Sequence, residues 1–295
     1  MVTHNSKRSP IQQLPNGEGV LITGCSSGIG RATAIHLAQR GFTVFATVRK
    51  EVDAENLRSL NEPHLVPVYP LDLTRLEQVP NAVETVTSEL KHRGKEGLHA
   101  LINNAGGGFV APIELMDLNK FRTELESRIL GSVALVQAFL PLIRQAGGRI
   151  VWIVTPAIIP TPYVSSIHAC DFAINCIART LQIELMPWKI PSIMIRCGGI
   201  KTPAVARSAT ELEASFAKWP RERLELYEPA MRHWQEDMAA FDAKRTDPEE
   251  VAKAVFKALW AKEPKRRYSI GHMSGAAAML ESLPQPVVDT ILAKR

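Results

Sequence analysis

Apolar positions in this chain come in short bursts that alternate between two periods. Gly19-Val-Leu-Ile-Thr23 is a brief apolar run entering a glycine turn, and a helical pattern follows from Ile29 to Gln39, closed by Gly41. Thr43 to Val48 is a β-branched run and reads as a second strand. The alternation continues. Leu65 to Tyr69 is strand-like, Leu76 to Leu90 helical, His99 to Asn103 strand-like, and Leu118 to Arg144 a long helix with Pro141 near its end. Arg149 to Val154 (strand), Ser166 to Met186 (helix) and Ser192 to Arg196 (strand) follow. Strands alternating with helices of this length predict βαβ units, hence an α/β fold: a doubly wound parallel sheet with helices on both faces. A chain of 295 residues fits one such domain.

The character changes between Ala204 and about Ala243. That stretch is rich in charges and carries Phe216, Trp219, Leu224, Leu226, Tyr227, Met231 and Trp234 at roughly helical spacings. It predicts amphipathic helices spanning 204–245, read either as packing or as a lid over a substrate pocket. The fold resumes at Asp247-Pro248-Glu249, a helix-start signal, with a helix from Val251 to Trp260 and a strand around Arg267 to Ile270. Residues 1–18 are polar, hold two prolines and read as a flexible tail before a domain spanning 19–295.

Composition narrows the class without naming a chemistry. Hydrophobic residues make up 45% and charged residues 22%, which excludes a disordered or collagenous chain. The net charge is only +5, and basic clusters such as Lys265-Arg266-Arg267 are short, so no nucleic-acid partner is expected. The longest apolar stretch, Val133 to Ile143, reads as too short for a bilayer and is interrupted by Gln137 and Pro141. The four cysteines, Cys25, Cys170, Cys176 and Cys197, form no CxxC pair and no metal-ligand spacing. They are expected to be reduced and buried, as in a cytoplasmic protein.

The chemical signal lies in Thr23-Gly-Cys-Ser-Ser-Gly-Ile-Gly30, which follows a strand and opens a helix. Gly24 permits the tight turn, Gly28 lets peptide N–H groups approach a pyrophosphate, and Gly30 lets the helix pack closely on its strand. Thr23, Ser26, Ser27 and Ile29 complete this cradle, and the helix N-terminus adds partial positive charge. The second strand runs into Arg49 and Lys50, where an NAD enzyme usually places an acid for the ribose 2′-hydroxyl. Two cations there favour a 2′-phosphate, so the expected cofactor is NADP(H).

These features resemble the short-chain dehydrogenase/reductase family. The resemblance rests on the TGxxxGIG spacing, Leu71-Asp72-Leu73, Asn103-Asn104-Ala105-Gly106, Gly131, Gln137 to Pro141, and Gly199-Ile-Lys-Thr-Pro203. It covers roughly residues 19–205 and implies a Rossmann-type domain, a nicotinamide cofactor and a small-molecule substrate. It implies adenine contacts from Asp72 and Leu73, ribose contacts from Asn103, Ala105 and Gly106, and carboxamide contacts from Ile200 and Thr202. It also implies a homodimer or homotetramer built on the two long central helices.

The same resemblance points to a departure. Family enzymes use an Asn, a Ser and a Tyr-x-x-x-Lys pair to move a proton as hydride arrives. Aligned on Gly131, the Asn position holds Arg128; aligned on Leu181 to Leu185, the Tyr and Lys positions hold Ile167 and Asp171. Thr155 supplies a hydroxyl after the fifth strand, or Val154 holds that slot. Tyr163 has Ile167 four residues on and so does not rebuild the pair. His168 is the nearest titratable substitute, though a lone His at a helix start is more often structural. Arg128 and Asp171 are expected to pair, and a carboxylate there suits an iminium substrate, which takes hydride without needing a proton. Two readings follow: an NADP-dependent oxidoreductase with a non-standard site, or a nucleotide-binding scaffold that has lost catalysis.

Overall fold

A computed structural model describes residues 15–156 and 160–293. Seven strands form one all-parallel sheet in the order β3-β2-β1-β4-β5-β6-β7. They are β1 (Gly19–Ile22), β2 (Thr43–Thr47), β3 (Leu65–Val68), β4 (Leu98–Asn103), β5 (Arg149–Val154), β6 (Ser192–Cys197) and β7 (Arg267–Ile270). The helices are α1 (Gly28–Ala38), α2 (Glu51–Arg58), α3 (Val79–His92), α4 (Leu118–Leu125), α5 (Gly131–Ala146) and α6 (Ser165–Glu184). After them come α7 (Pro203–Phe216), α8 (Arg221–Asp242), α9 (Pro248–Trp260), α10 (Ser274–Leu280) and α11 (Gln285–Ala293). All seven expected strands form within a residue or so of their expected ends. The sequence reading did not anticipate α2, α10 or α11, which are short and carry weak apolar periodicity.

The alternation of side chains along each strand builds two cores, one per sheet face. Val20, Ile22, Val44 and Ala46 point towards α1 and α9, whereas Leu21, Phe45, Leu101 and Trp152 point towards α3, α5 and α6. Strand register supports this, with Val20 beside Val44 and Leu21 beside Phe45. The chain turns outward in opposite directions from β1 and β4, so a crevice opens at their carboxyl ends, where doubly wound sheets bind ligands.

Three expectations change here. Pro15 is buried and Gly17 N–H donates to Gly41 O at 2.7 Å, so the described end of the expected tail packs against the entry to β2. Residues 1–14 lie outside the described residues. Secondly, α4 and α5 are joined by a π-helical turn, Glu126–Leu130, into one continuous run from Leu118 to Ala146. By length and composition alone this run is long and apolar enough to cross a membrane, contrary to the sequence reading. Pro141 does not break it. Leu135, Val136, Phe139 and Ile143 are buried in the core formed with α3 and the sheet. Thirdly, Cys176 is exposed; the other three cysteines are buried, and all four are free.

Candidate active site

The end of β1 is tied to the end of β4 by side chains. Thr23 Oγ1 accepts from Asn104 N (2.9 Å) and Ala105 N (2.8 Å), and Asn104 Nδ2 donates to Thr23 O (2.8 Å) and Gly24 O (3.3 Å). Gly24 and Gly28 both adopt positive φ, +72° and +57°, which a side chain would strain. A Cβ at Gly30 would stand 2.2 Å from Gly24 O and 2.5 Å from Asn104 Nδ2, so this position admits only glycine while the turn keeps its shape. Ser27 is the N-cap of α1 yet makes no side-chain cap bond, leaving the first N–H groups of α1 for a ligand. Ser26 is exposed at the rim and Ile29 half-buried beside it. The turn fits a dinucleotide pyrophosphate: Gly24, Ser26, Ser27 and the N-terminal peptides of α1 would hold it.

Arg49 and Lys50 are exposed beyond β2, free to meet a phosphate. Asp72 lies close by. Burial raises its carboxyl, but the Thr74 N–H (3.0 Å) and hydroxyl (2.8 Å) and the charges of Arg49 and Arg75 outweigh that and hold it below the usual carboxylate range. Leu73 is buried; its carbonyl and Cβ press on Gly131, where a Cβ would come within 2.5 Å. Ile200 is buried too, against Gly271, so its side chain is removed from the crevice and its main chain alone can reach a carboxamide. Thr202 stands over Gly28, its Cγ2 3.2 Å from where a Cβ would be.

Deeper in the crevice, Arg128 and Asp171 form a buried ion pair through Nη2 and Oδ1. Arg128 is carried by the π-turn and Asp171 by α6. Such turns widen a helix locally and re-aim one side chain, here into the crevice. Thr155 donates its N–H (3.2 Å) and its hydroxyl to Asp171 Oδ2. Arg128 Nη1 also donates to Ile167 O (3.1 Å) and Gly107 O (3.5 Å). Thus Arg128 and Asp171 pair as expected, Thr155 joins them, and the three clamp the loop after β4 onto α6. Asp171 is only 2% exposed, so its carboxylate is spent inside the protein. Val154 is buried in the core, which leaves the hydroxyl slot to Thr155.

Ile167 is pressed against Gly108, where a Cβ would meet its Cγ1 at 2.1 Å. His168 is half-buried on the first turns of α6. Below the ion pair is a cavity of about 10 Å³ bordered by Asn103, Arg128, Ser132 and Asp171, large enough for about one water. Both side-chain amide atoms of Asn103 are buried without a protein partner. Asn103 therefore borders this polar cavity, while Ala105 and Gly106 line the loop above it.

Over the crevice lies α7, with α8 behind it. Val110, Leu212, Phe216, Leu224 and Met231 form a third small core, joined by Tyr163, Trp219, Tyr227 and Trp234. Leu226 does not belong to it and is 72% exposed. Tyr163 adopts φ +67° and stacks edge-on against Trp234 at 6.3 Å, while its carbonyl accepts from Ala111 N. The insertion is thereby pinned to the start of α6. A solvent-open hollow of about 370 Å³ is lined by Ala206, Arg207, Thr210 and Glu211 of α7.

Glu124 was missed in the sequence reading. It sits one turn before Arg128 on α4, and its Oε1 covers Gly107 at 3.2 Å from where a Cβ would be. Burial raises its carboxyl above the usual range; Glu211 adds to this, while Arg128, the Gly107 N–H and Arg49 only partly offset it. The i, i+4 spacing to Arg128 was the available signal.

The family model for short chain dehydrogenases matches residues 18–213, and the chain belongs to that family. It is 33% identical over 274 residues to 11-beta-hydroxysteroid dehydrogenase type 2 of Ovis aries, covering 90% of this chain and 63% of that protein. It thus spans less than two thirds of that relative's length. Estradiol 17-beta-dehydrogenase 2 of Mus musculus is 30% identical over 291 residues, covering 94% of this chain and 74% of that one. A short chain dehydrogenase from Burkholderia cenocepacia J2315, solved in complex with NADP, shares the fold with a TM-score of 0.71. It is 23% identical and covers 94% of this chain and 98% of its own.

Proposed function

We propose that this protein is an NADP(H)-dependent oxidoreductase acting on an alcohol or carbonyl carbon of a small, largely apolar substrate. The observation that carries this reading is the glycine-built cradle at the uncapped start of α1, with Arg49 and Lys50 exposed beside it. When bound, the cofactor would supply or accept a hydride, and the proton that the substrate oxygen gains or loses would be exchanged with solvent water. Thr23 and Asn104 hold the two strand ends together under it, and Arg49 and Lys50 recognise the 2′-phosphate. Arg128, Asp171 and Thr155 are positioning residues: they fix the loop after β4 and the start of α6 around the reacting carbon. The aromatic core under α7 and α8 shields that space from water and favours an apolar skeleton. The names of the steroid dehydrogenase relatives support a polycyclic alcohol or ketone.

The test is sequential. NADPH binding is measured by fluorescence, and its oxidation is then followed against ketosteroids, simple ketones, aldehydes and cyclic imines. Tight NADPH binding with turnover of a ketone supports the proposal. Turnover of imines alone would select an iminium substrate instead.

A second reading has its own observation. Ile167 packs on Gly108 with no proton to give, and the Arg128–Asp171 pair is internally satisfied. Both suit a nucleotide-binding scaffold without catalysis. NADPH binding with no turnover across the panel would select it.

A further inference from the structure

Glu124 is not needed by the machinery described above, and its surroundings are unusual for a carboxylate. Its Oε2 is buried without a hydrogen-bond partner, and its Oε1 lies over Gly107 in the loop that flanks the dinucleotide crevice. An ionised carboxylate in such a place loses water on one oxygen and gains nothing for it. Four titratable or charged groups face it from the elements packed around it. They are Arg128 from the π-turn, Arg49 from the end of β2, Glu211 from α7 and Cys170 from α6. Burial pushes the Cys170 thiol up to about 11, so it carries no charge near neutral pH. Arg128 is already matched by Asp171. Arg49, whose charge also acts on Asp72, is the one of the two cations that stands exposed to an incoming anion.

We infer that Glu124 is a proton-linked element of the dinucleotide site: binding of NADP, through its phosphates, is accompanied by uptake of a proton at Glu124. The inference rests on the cofactor reading given above. A 2′-phosphate that engages Arg49 withdraws the cation that helps keep Glu124 ionised, and it brings negative charge to the same crevice. Both effects favour the protonated acid. The carboxyl already lies above its usual range through burial and Glu211, and both effects move it further in the same direction. The sign follows from linkage: with the bound-state pKa above the free-state pKa, affinity is greatest below the free-state value. It is lost as pH rises through the bound-state value. NAD, lacking the 2′-phosphate, leaves Arg49 beside Glu124 and shows a weaker dependence.

Calorimetric titration of NADP⁺ into the full chain at about pH 6 and about pH 8, in two buffers of different ionisation enthalpy, reads affinity and proton uptake together. Relative to Glu124→Gln, the wild type is expected to lose about threefold to tenfold more affinity at the higher pH and to take up more protons, the titration of the 2′-phosphate being common to both. Glu124→Gln should lose the uptake attributable to this site and flatten the profile. Glu124→Asp, which keeps a titrating group, should retain a dependence. Glu211→Gln removes a like charge and should move the window to lower pH. Equal slopes and equal uptake in the wild type and Glu124→Gln overturn the inference while leaving the cofactor reading intact. Failure of the wild type to bind NADP⁺ or NAD⁺ at either pH overturns the cofactor reading and this inference with it.

Discussion

At the scale of single residues, the Arg128–Asp171 pair makes the clearest demands. Each charge is buried, so removing one partner strands the other. Asp171→Asn or Arg128→Met alone should cost about 3–5 kcal/mol of stability in urea unfolding, whereas the double replacement should cost much less than the sum. The same geometry bears on attempts to install a family-type proton relay. Ile167→Tyr with Asp171→Lys would set the new lysine against Arg128, and two like charges in a buried site push the lysine towards its neutral form. Adding Arg128→Asn should outperform the double change in ketone reduction; strong turnover from the double change alone would contradict this. Arg49→Asp should weaken NADPH binding by about 1.5–3 kcal/mol, the range of a charge-assisted hydrogen bond, with a much smaller effect on NADH. The Arg128–Asp171 partnership was legible in the sequence because charge replaced charge at two positions the resemblance brings together. That Thr155 and two peptide carbonyls complete it was not, since hydrogen bonds to the main chain leave no trace in residue identity.

At the scale of elements, α9 shows how one helix is fastened to a sheet. The last carbonyls of α9 lack intrahelical partners. His99 Nε2–H donates to Leu259 O (3.1 Å), and Arg149 Nη1 donates to Ala258 O (2.8 Å) and Ala261 O (3.1 Å). Burial, and then the Arg149 charge, hold the His99 imidazole below its usual pKa, so it is neutral in the fold at neutral pH. The unfolded chain binds that proton more readily. The contribution of His99 is therefore complete above about pH 6.5 and is lost as pH falls through the lower folded value. Thermal unfolding followed from neutral pH down to about pH 5 should show a fall in Tm that is smaller in His99→Gln, which keeps a donor but does not titrate. The continuous run from α4 to α5 was read correctly as one long helix, but its π-turn was not. Helical periodicity over a few residues does not distinguish 3.6 from a local widening, and the turn is held by what Arg128 reaches.

At the scale of the whole molecule, exposed apolar residues gather on the two helices that the resemblance assigns to assembly. Leu118 and Leu130 stand on the 118–146 run, and Phe172 and Ile183 on α6. A homodimer or homotetramer joined there should appear in light scattering at micromolar concentration. Leu130→Lys with Phe172→Glu should shift the population towards monomer while leaving NADPH binding in place. A wild type that scatters as a monomer would remove the basis for this assembly. The insertion of α7 and α8 belongs to the same scale. The sequence places apolar and aromatic residues at helical spacing but does not say against what they pack. The answer, Val110 and Tyr163 from two distant segments, depends on long-range contacts.

Residue order alone dictates the alternation of strands and helices along the chain, the parallel sheet and the glycine cradle, whereas the order of strands within the sheet comes from the fold. The first three rest on short-range rules: side-chain period, the φ values open to glycine, and the close approach that a missing Cβ permits. Tertiary structure alone decided which carboxylates are spent and which remain available. Asp171 is spent because Arg128 and Thr155 reach it from two other elements, and Glu124 stands out because Gly107, Glu211 and Arg49 converge on it. Charge, desolvation and hydrogen bonding depend on distance in space, and segments up to 162 positions apart, from Arg49 to Glu211, meet only when the sheet brings their ends together.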